Sequence, residues 1–217
     1  MKLRFACGLI AAALGASVAT AQNGHLQVTV TNLTKGQTFT PILVAVHKPG
    51  VHLFQLGMPA SVELEQLAEA GNTAPLEAAL MANPLVKTAV DTGAALPPGQ
   101  SVSITVPANG AFSQVSIAAM LVPTNDGFFA VDAVQTSSQQ IIKVFSPAYD
   151  AGTEMNDELC IHIPGGDGCM GEGFNPSRDG AEGYVHIHEG IHGIGDLPAA
   201  LYDWRNPVAL VTITPVP

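Results

Sequence analysis

The sequence predicts an all-β fold, an antiparallel β-sandwich of about eight strands with short helical insertions. Three observations carry this reading. Apolar residues alternate with polar ones in several short runs, turn-rich segments separate those runs at fairly even spacing, and helical periodicity is confined to one early stretch.

In chain order, HLQVTVTNLT sets Leu26, Val28 and Val30 against polar neighbours, the period of a half-buried strand. FTPILVAVH over 39–47 reads as a second strand, with Pro41 marking an edge or a bulge. The pattern then changes. SVELEQLAEAGN offers Ser61 as an N-cap, Leu64, Leu67 and Ala68 at helical spacing, and Gly71 as a stop. PLEAALMAN predicts a second short helix over 75–83. Beyond residue 92 the strands resume: SVSITVP after the Pro97-Pro98-Gly99 turn, Ser113 to Val122, GFFAVDAV, QQIIKVF, EGYVHIHEG and NPVALVTIT. No composition shift marks a linker, so residues 22–217 are expected to form one domain.

The first 21 residues read as a cleaved signal peptide, with Lys2 and Arg4 ahead of an apolar run and a small-x-small site at Ala19-Thr20-Ala21. Secretion, to a periplasm or beyond the cell, follows from that reading. Cys7 lies at the start of the apolar run and would leave with the signal. No other stretch reaches the ~18 apolar residues of a membrane span. Of 217 residues, 8 are basic and 18 acidic, for a net charge of −10 that becomes −12 without Lys2 and Arg4. Such a surface repels nucleic acid. An apolar fraction of 47% supplies a substantial core.

Cys160 and Cys169, in CIHIPGGDGC, span a Pro-Gly-Gly turn and in an oxidising compartment most simply close as a disulfide. Two free thiols, or a soft-metal site shared with nearby histidines, are the alternatives.

Two acidic loops, PTNDG from 123 and YDAGTEMNDE over 149–158, carry the first candidate site. A strand leading away and back would bring them to one end of the sandwich, where Asp126, Asp150 and Glu154 would converge. Three carboxylates together repel one another unless a cation joins them, and loop-borne oxygen ligands suit Ca²⁺. Neither loop has the EF-hand register, and solvated Asp and Asn turns are the plain alternative. Asp157 and Glu158 are expected to face water. A glycosidase pair finds little support, since one tryptophan and three tyrosines leave few rings for a sugar groove.

The second candidate is GYVHIHEGIHGIGD over 183–196. On a strand His186 and His188 share a face, and His192 could return across the Glu189-Gly190 turn to complete a Zn²⁺ or Cu²⁺ site. HEGIH is not the helical zincin motif, because its glycines oppose a helix. No nucleophile elbow or P-loop is present, and no catalytic activity is expected.

These landmarks together resemble the spondin domain, the N-terminal module of F-spondin and mindin. The resemblance runs through TNLTKGQTFTPILVAVH at 31–47, LFQLGMPASVELEQLAEAGN at 53–72, AAMLVPTNDGFFAVDAV at 118–134, YDAGTEMNDE at 149–158, EGYVHIHEGIHGIGDL at 182–197 and YDWRNPVALVTI at 202–213. Its most specific part is P-x-x-D-x-F followed by D-A-G-T-[DE]. The resemblance implies a C2-like sandwich with Ca²⁺ at one end, held by Asp126, Asp150 and Glu154, and a module that binds a protein or a cell-surface or matrix component. Animal modules usually carry Asp where this chain has Glu154. The histidine segment is not explained by the animal proteins.

Overall fold

The computed structural model describes residues 24–165 and 168–216. The signal peptide expected over residues 1–21 lies outside the described residues. Eleven strands and three short helices follow in the order β1 (Gly24–Asn32), β2 (Thr38–Phe39), β3 (Leu43–His47), α1 (Val62–Ala70), α2 (Ala74–Met81), β4 (Val86–Asp91), β5 (Ser101–Ala108), β6 (Gln114–Val122), β7 (Gly127–Gln135), β8 (Ile142–Ser146), β9 (Ala148–Asp150), β10 (His186–Ile187), α3 (Ala199–Tyr202) and β11 (Ala209–Val216).

A four-stranded sheet in the order β5-β1-β11-β8 packs on a seven-stranded sheet in the order β10-β9-β7-β6-β3-β4, with β2 paired to β6. Strand alternation explains the layering. On one face of the larger sheet Val44, Ile117, Leu121 and Phe129 meet Val28, Val30, Val211 and Ile213 of the smaller sheet. On its other face Leu43, Ala45, Ala118 and Phe128 meet Leu64, Leu67, Leu76 and Leu80 of α1 and α2. Strands β3 and β6 are therefore buried on both sides, which is why they read as continuous apolar runs while β1, open to solvent on one face, alternates. Each fully buried Leu or Phe contributes about 1.5–3 kcal/mol.

Helix α1 forms as its sequence predicts. Ser61 Oγ accepts from Leu64 N at 3.2 Å, and Gly71 closes the helix in the left-handed region at φ 64°. A Cβ at Gly71 would also lie 2.4 Å from a Thr40 methyl, so glycine is required twice over. Helix α2 runs over 74–81 rather than 75–83.

The eleven strands exceed the expected eight for identifiable reasons. FTPILVAVH splits at Pro41 into β2 and β3; β4 and β9 are additional; EGYVHIHEG contracts to the two residues of β10. β9 and β10 have only three and two residues, too few to show a period.

One connection positions the site. After β8 in the small sheet the chain crosses at Ser146, whose Oγ donates to Ala130 O at 2.7 Å, and continues as β9 in the large sheet. β9 pairs with β7 so that Asp150 lies opposite Gly127. The two acidic loops thereby become neighbours.

Candidate functional site

The turn between β6 and β7 is closed by Thr124 Oγ1, which donates to Leu121 O at 2.5 Å and accepts from Gly127 N at 3.0 Å. Gly127 is pressed between that side chain and His188, where a Cβ would lie 2.8 Å from Thr124 Oγ1 and 2.9 Å from His188 Cδ2. Asp126, fully buried, projects from this turn. Its Oδ2 accepts from Thr153 N at 2.7 Å, Thr153 Oγ1 at 3.2 Å and Glu154 N at 3.1 Å, so one carboxylate oxygen holds the D-A-G-T turn of the other loop. Its Oδ1 is buried with no hydrogen-bond partner.

Asp150 is also fully buried, but both its oxygens are engaged. Oδ1 accepts from Gly152 N at 2.7 Å and Oδ2 from Asn156 Nδ2 at 2.5 Å, with His186 Nδ1 3.6 Å from Oδ1. Glu154 is 7% exposed and its Oε2 has no partner.

A fourth carboxylate, absent from the sequence reading, joins them. Glu69 of α1 is fully buried; its Oε2 accepts from Asn175 N at 2.9 Å, and its Oε1 has no partner. Glu65 and Glu69 stand one helical turn apart beside the Leu64-Leu67-Ala68 stripe, and both are buried. That acidic pair flanking a buried stripe was the available signal. Glu65 accepts from Nε and Nη2 of the Arg178 guanidinium, one on each oxygen, whereas Glu69 has no such ion pair.

Electrostatics follow from this geometry. Burial pushes Asp126 up to about 7, and Asp150 raises it further against the donors at Thr153 and Glu154. Burial likewise raises Asp150 and Glu69 to about 7 each. Burial, then Glu69 and Asp126, drive Glu154 to about 9. The carboxylates thus act on one another, and three of them keep a buried oxygen without a proton donor. Among the described residues, no three His, Cys, Asp or Glu side chains already form a metal-holding group. The donor set nevertheless fits a hard cation: every free atom is a carboxylate oxygen, and the electrostatic deficit is positive charge. Glu69, Asp126 and Glu154 would hold such an ion, with Asp150 braced against the backbone beside them.

Asp157 and Glu158 do not simply face water. Asp157 Oδ1 accepts from Asn125 Nδ2 at 3.1 Å and Leu159 N at 2.9 Å, and its Oδ2 lies 2.6 Å from His162 Nδ1. Glu158 is buried and accepts from three consecutive backbone amides: His192 at 2.5 Å on Oε1, and Gly193 at 2.7 Å and Ile194 at 2.9 Å on Oε2. Its own carbonyl accepts from Asp196 N at 2.8 Å. The acidic loop and the histidine loop are therefore one tied unit.

The three histidines have different surroundings. His186 Nδ1 lies 3.1 Å from Tyr184 O; His188 is buried against Trp204, with ring centroids 4.9 Å apart; His192 is exposed. His188 Nδ1 accepts from Gly190 N at 3.0 Å. Burial, helped by the charges of His186 and His192, lowers His188 to about 3, so it is a neutral packing element at neutral pH. A depressed basic group contributes stability that is complete above its ordinary value near 6.5 and is lost as pH falls toward about 3. In urea unfolding from about pH 6.5 down to 4.5 the wild type is therefore expected to lose stability relative to His188→Gln, against the opposite trend that the raised carboxylates give both proteins. Identical slopes would refute this role.

The disulfide expected between Cys160 and Cys169 is present, nine residues apart. Closing so short a loop contributes about 2–3 kcal/mol in the chain-entropy model. Cys160 N donates to Asp196 Oδ2 at 2.9 Å, anchoring the disulfide loop to the histidine loop.

A Ser-His-Asp chain occurs elsewhere, within the β6–β7 bulge. Ser116 Oγ lies 2.8 Å from His47 Nε2 and 3.1 Å from Asp132 Oδ1. Ser116 and His47 are fully buried, and His47 Nδ1 is 2.9 Å from Lys48 O rather than from a carboxylate. With Ala133 N donating to Ser116 Oγ at 2.8 Å, the trio braces the bulge, where Ala133 adopts φ 51°.

A two-sheet antiparallel sandwich, with helices on one sheet and a buried carboxylate cluster where two loops meet at one end, defines a β-sandwich module. The family model described as Spondin_N matches residues 29–156, and the chain belongs to that family. No curated protein matches. The matched region includes Glu69, Asp126, Asp150 and Glu154; the disulfide loop and the histidine segment follow it.

Proposed function

We propose that the chain is a secreted, Ca²⁺-dependent adhesion or protein-interaction module, whose partner is a protein or a cell-surface or matrix component. The observation that carries this reading is the set of buried, partnerless oxygens on Glu69, Asp126 and Glu154. Carboxylates left this way at neutral pH must either hold protons or share a cation, and an exported module meets millimolar-scale Ca²⁺ that favours the second. Bound there, the ion supplies the positive charge the cluster lacks. Asp126 is central because it also holds the Thr153 and Glu154 amides, so it joins the loop after β6 to the loop after β9. The ordered pair of loops then forms a rigid end for recognition.

The test is thermal melting of the mature chain with and without CaCl₂ after chelation. Ca²⁺ is expected to raise the midpoint of the wild type and to leave Asp126→Asn unmoved, with circular dichroism showing the variant still folded. A wild type indifferent to Ca²⁺ overturns the reading.

A further inference from the structure

We propose that a cavity at the end of the sandwich remote from the inner carboxylate cluster binds an acidic sugar, a neutral polyhydroxyl body bearing a carboxylate. This rests on the preceding reading only for the kind of partner, a matrix or cell-surface component, and needs no Ca²⁺.

Asp126 lies in the turn that joins β6 to β7, whereas the cavity opens at the other end of the same strand pair, where Gln114 of β6 stands opposite Gln135 of β7. Its volume is about 680 Å³. The wall presents the hydroxyls and amides of Asn109, Ser113, Gln135, Thr136 and Ser138 beside Phe112, and among the described residues no carboxylate lines it. Side chains of this kind both donate and accept hydrogen bonds, as sugar hydroxyls do, and a phenyl ring packs against the C–H face of a sugar.

Phe112 also gathers positive charge. Lys48 Nζ stands 4.8 Å and Lys87 Nζ 6.0 Å from its ring centroid. Strand pairing brings the two lysines there: Lys48 follows β3, its backbone N–H donating to Leu85 O at 2.9 Å, and Lys87 lies on the adjacent β4. Only six basic residues follow Arg4, so a third of them meet on one ring. Three of the others are committed elsewhere, Arg178 to Glu65, Arg205 to Asp203 and Lys35 to Ala200 O. Among the described residues neither Lys48 nor Lys87 forms an ion pair, and a ring face attracts a cation without neutralising it. An uncompensated pair of cations, in a chain of net charge −10, is thus joined through Phe112 to a neutral hydrogen-bonding cavity.

The two features together select the ligand. A densely charged polyanion such as a nucleic acid is repelled by the rest of the surface, and a neutral sugar leaves the lysines unused. A sugar with an isolated carboxylate matches both, its hydroxyls entering the cavity and its acid meeting the ammonium groups.

Calorimetric titration of the mature chain in EDTA tests the idea. Sialyllactose, which adds a single carboxylate to lactose, and a glucuronate-capped disaccharide are the acidic probes, one for each common source of a sugar acid; lactose is the neutral control. At least one acidic probe is expected to bind about tenfold more tightly than lactose, since two partly exposed ion pairs together account for about that factor. The double variant Lys48→Gln, Lys87→Gln is expected to erase the preference. Ser138 is exposed on the cavity wall, so Ser138→Leu is expected to abolish binding with the circular dichroism spectrum unchanged. Asp126→Asn is expected to bind as the wild type does, whatever the fate of the Ca²⁺ reading. The site is overturned if neither acidic probe binds, if lactose binds as tightly, if the preference survives loss of the lysines, or if Ser138→Leu binds normally. Loss of binding in a folded Asp126→Asn variant would also overturn it, by placing the ligand at the other end.

Discussion

In EDTA, the melting temperature of the mature chain is expected to fall as pH rises from about 6.5 to 9, and saturating Ca²⁺ is expected to remove most of that fall. Folding raises Asp126, Asp150 and Glu69 to about 7 and Glu154 to about 9. The folded chain therefore holds protons that the unfolded chain has released. Stability from these groups is complete below their ordinary values near 4 and disappears as pH rises through the folded ones. The window begins at about 6.5 because above its ordinary value His188 is largely neutral in both states and no longer opposes the carboxylates. A ligand present at about 100 times its dissociation constant adds about 2.7 kcal/mol, and a domain of this size shifts by about 2–4 °C per kcal/mol. The difference between Ca²⁺ and EDTA should thus be about 5–10 °C at the alkaline end and smaller near neutrality. A flat EDTA profile would mean the four carboxylates titrate as solvated groups.

Removing Glu158 is expected to be as costly without touching the inner cluster's free oxygens. Glu158→Ala deletes the acceptor for three consecutive amides of the 192–194 loop, and charge-assisted bonds of this kind are worth about 1.5–3 kcal/mol each before the loop relaxes. We expect a loss of about 3–4 kcal/mol in urea unfolding and faster amide exchange over residues 191–196. Glu158→Gln retains an acceptor and should recover part of the loss. If Glu158→Ala costs less than about 1 kcal/mol, the amides find water without difficulty and the loops are not tied.

Much of the sandwich was legible because its local patterns agree with its tertiary environment. Leu26, Val28 and Val30 alternate because one face of β1 is wet; Ser61 and Gly71 bound α1 because their side chain and backbone satisfy its ends. Asp126 and Asp150 could be placed together from motif spacing, since β8 leads into the other sheet and β9 returns. Other features had a faint local signature or none. Glu69 was marked only by its pairing with Glu65 beside the apolar stripe of α1, and its burial depends on Asn175, more than 100 residues away. Glu158 sits in an acidic run that composition assigns to solvent, yet its partners are amides contributed 34–36 positions later. The histidines showed a strand period without a strand, because β10 pairs with β9 over only two positions.

The packing of His188 on Trp204 has an optical consequence. Trp204 is the chain's single tryptophan, 7% exposed, and it lies in the loop that packs on the tied histidine unit. Its fluorescence therefore reports one place. A neutral imidazole at 4.9 Å quenches indole emission weakly, whereas a protonated or water-exposed neighbour changes both its intensity and its colour. Opening of that loop can be followed by intrinsic emission, with no label and no second tryptophan to subtract.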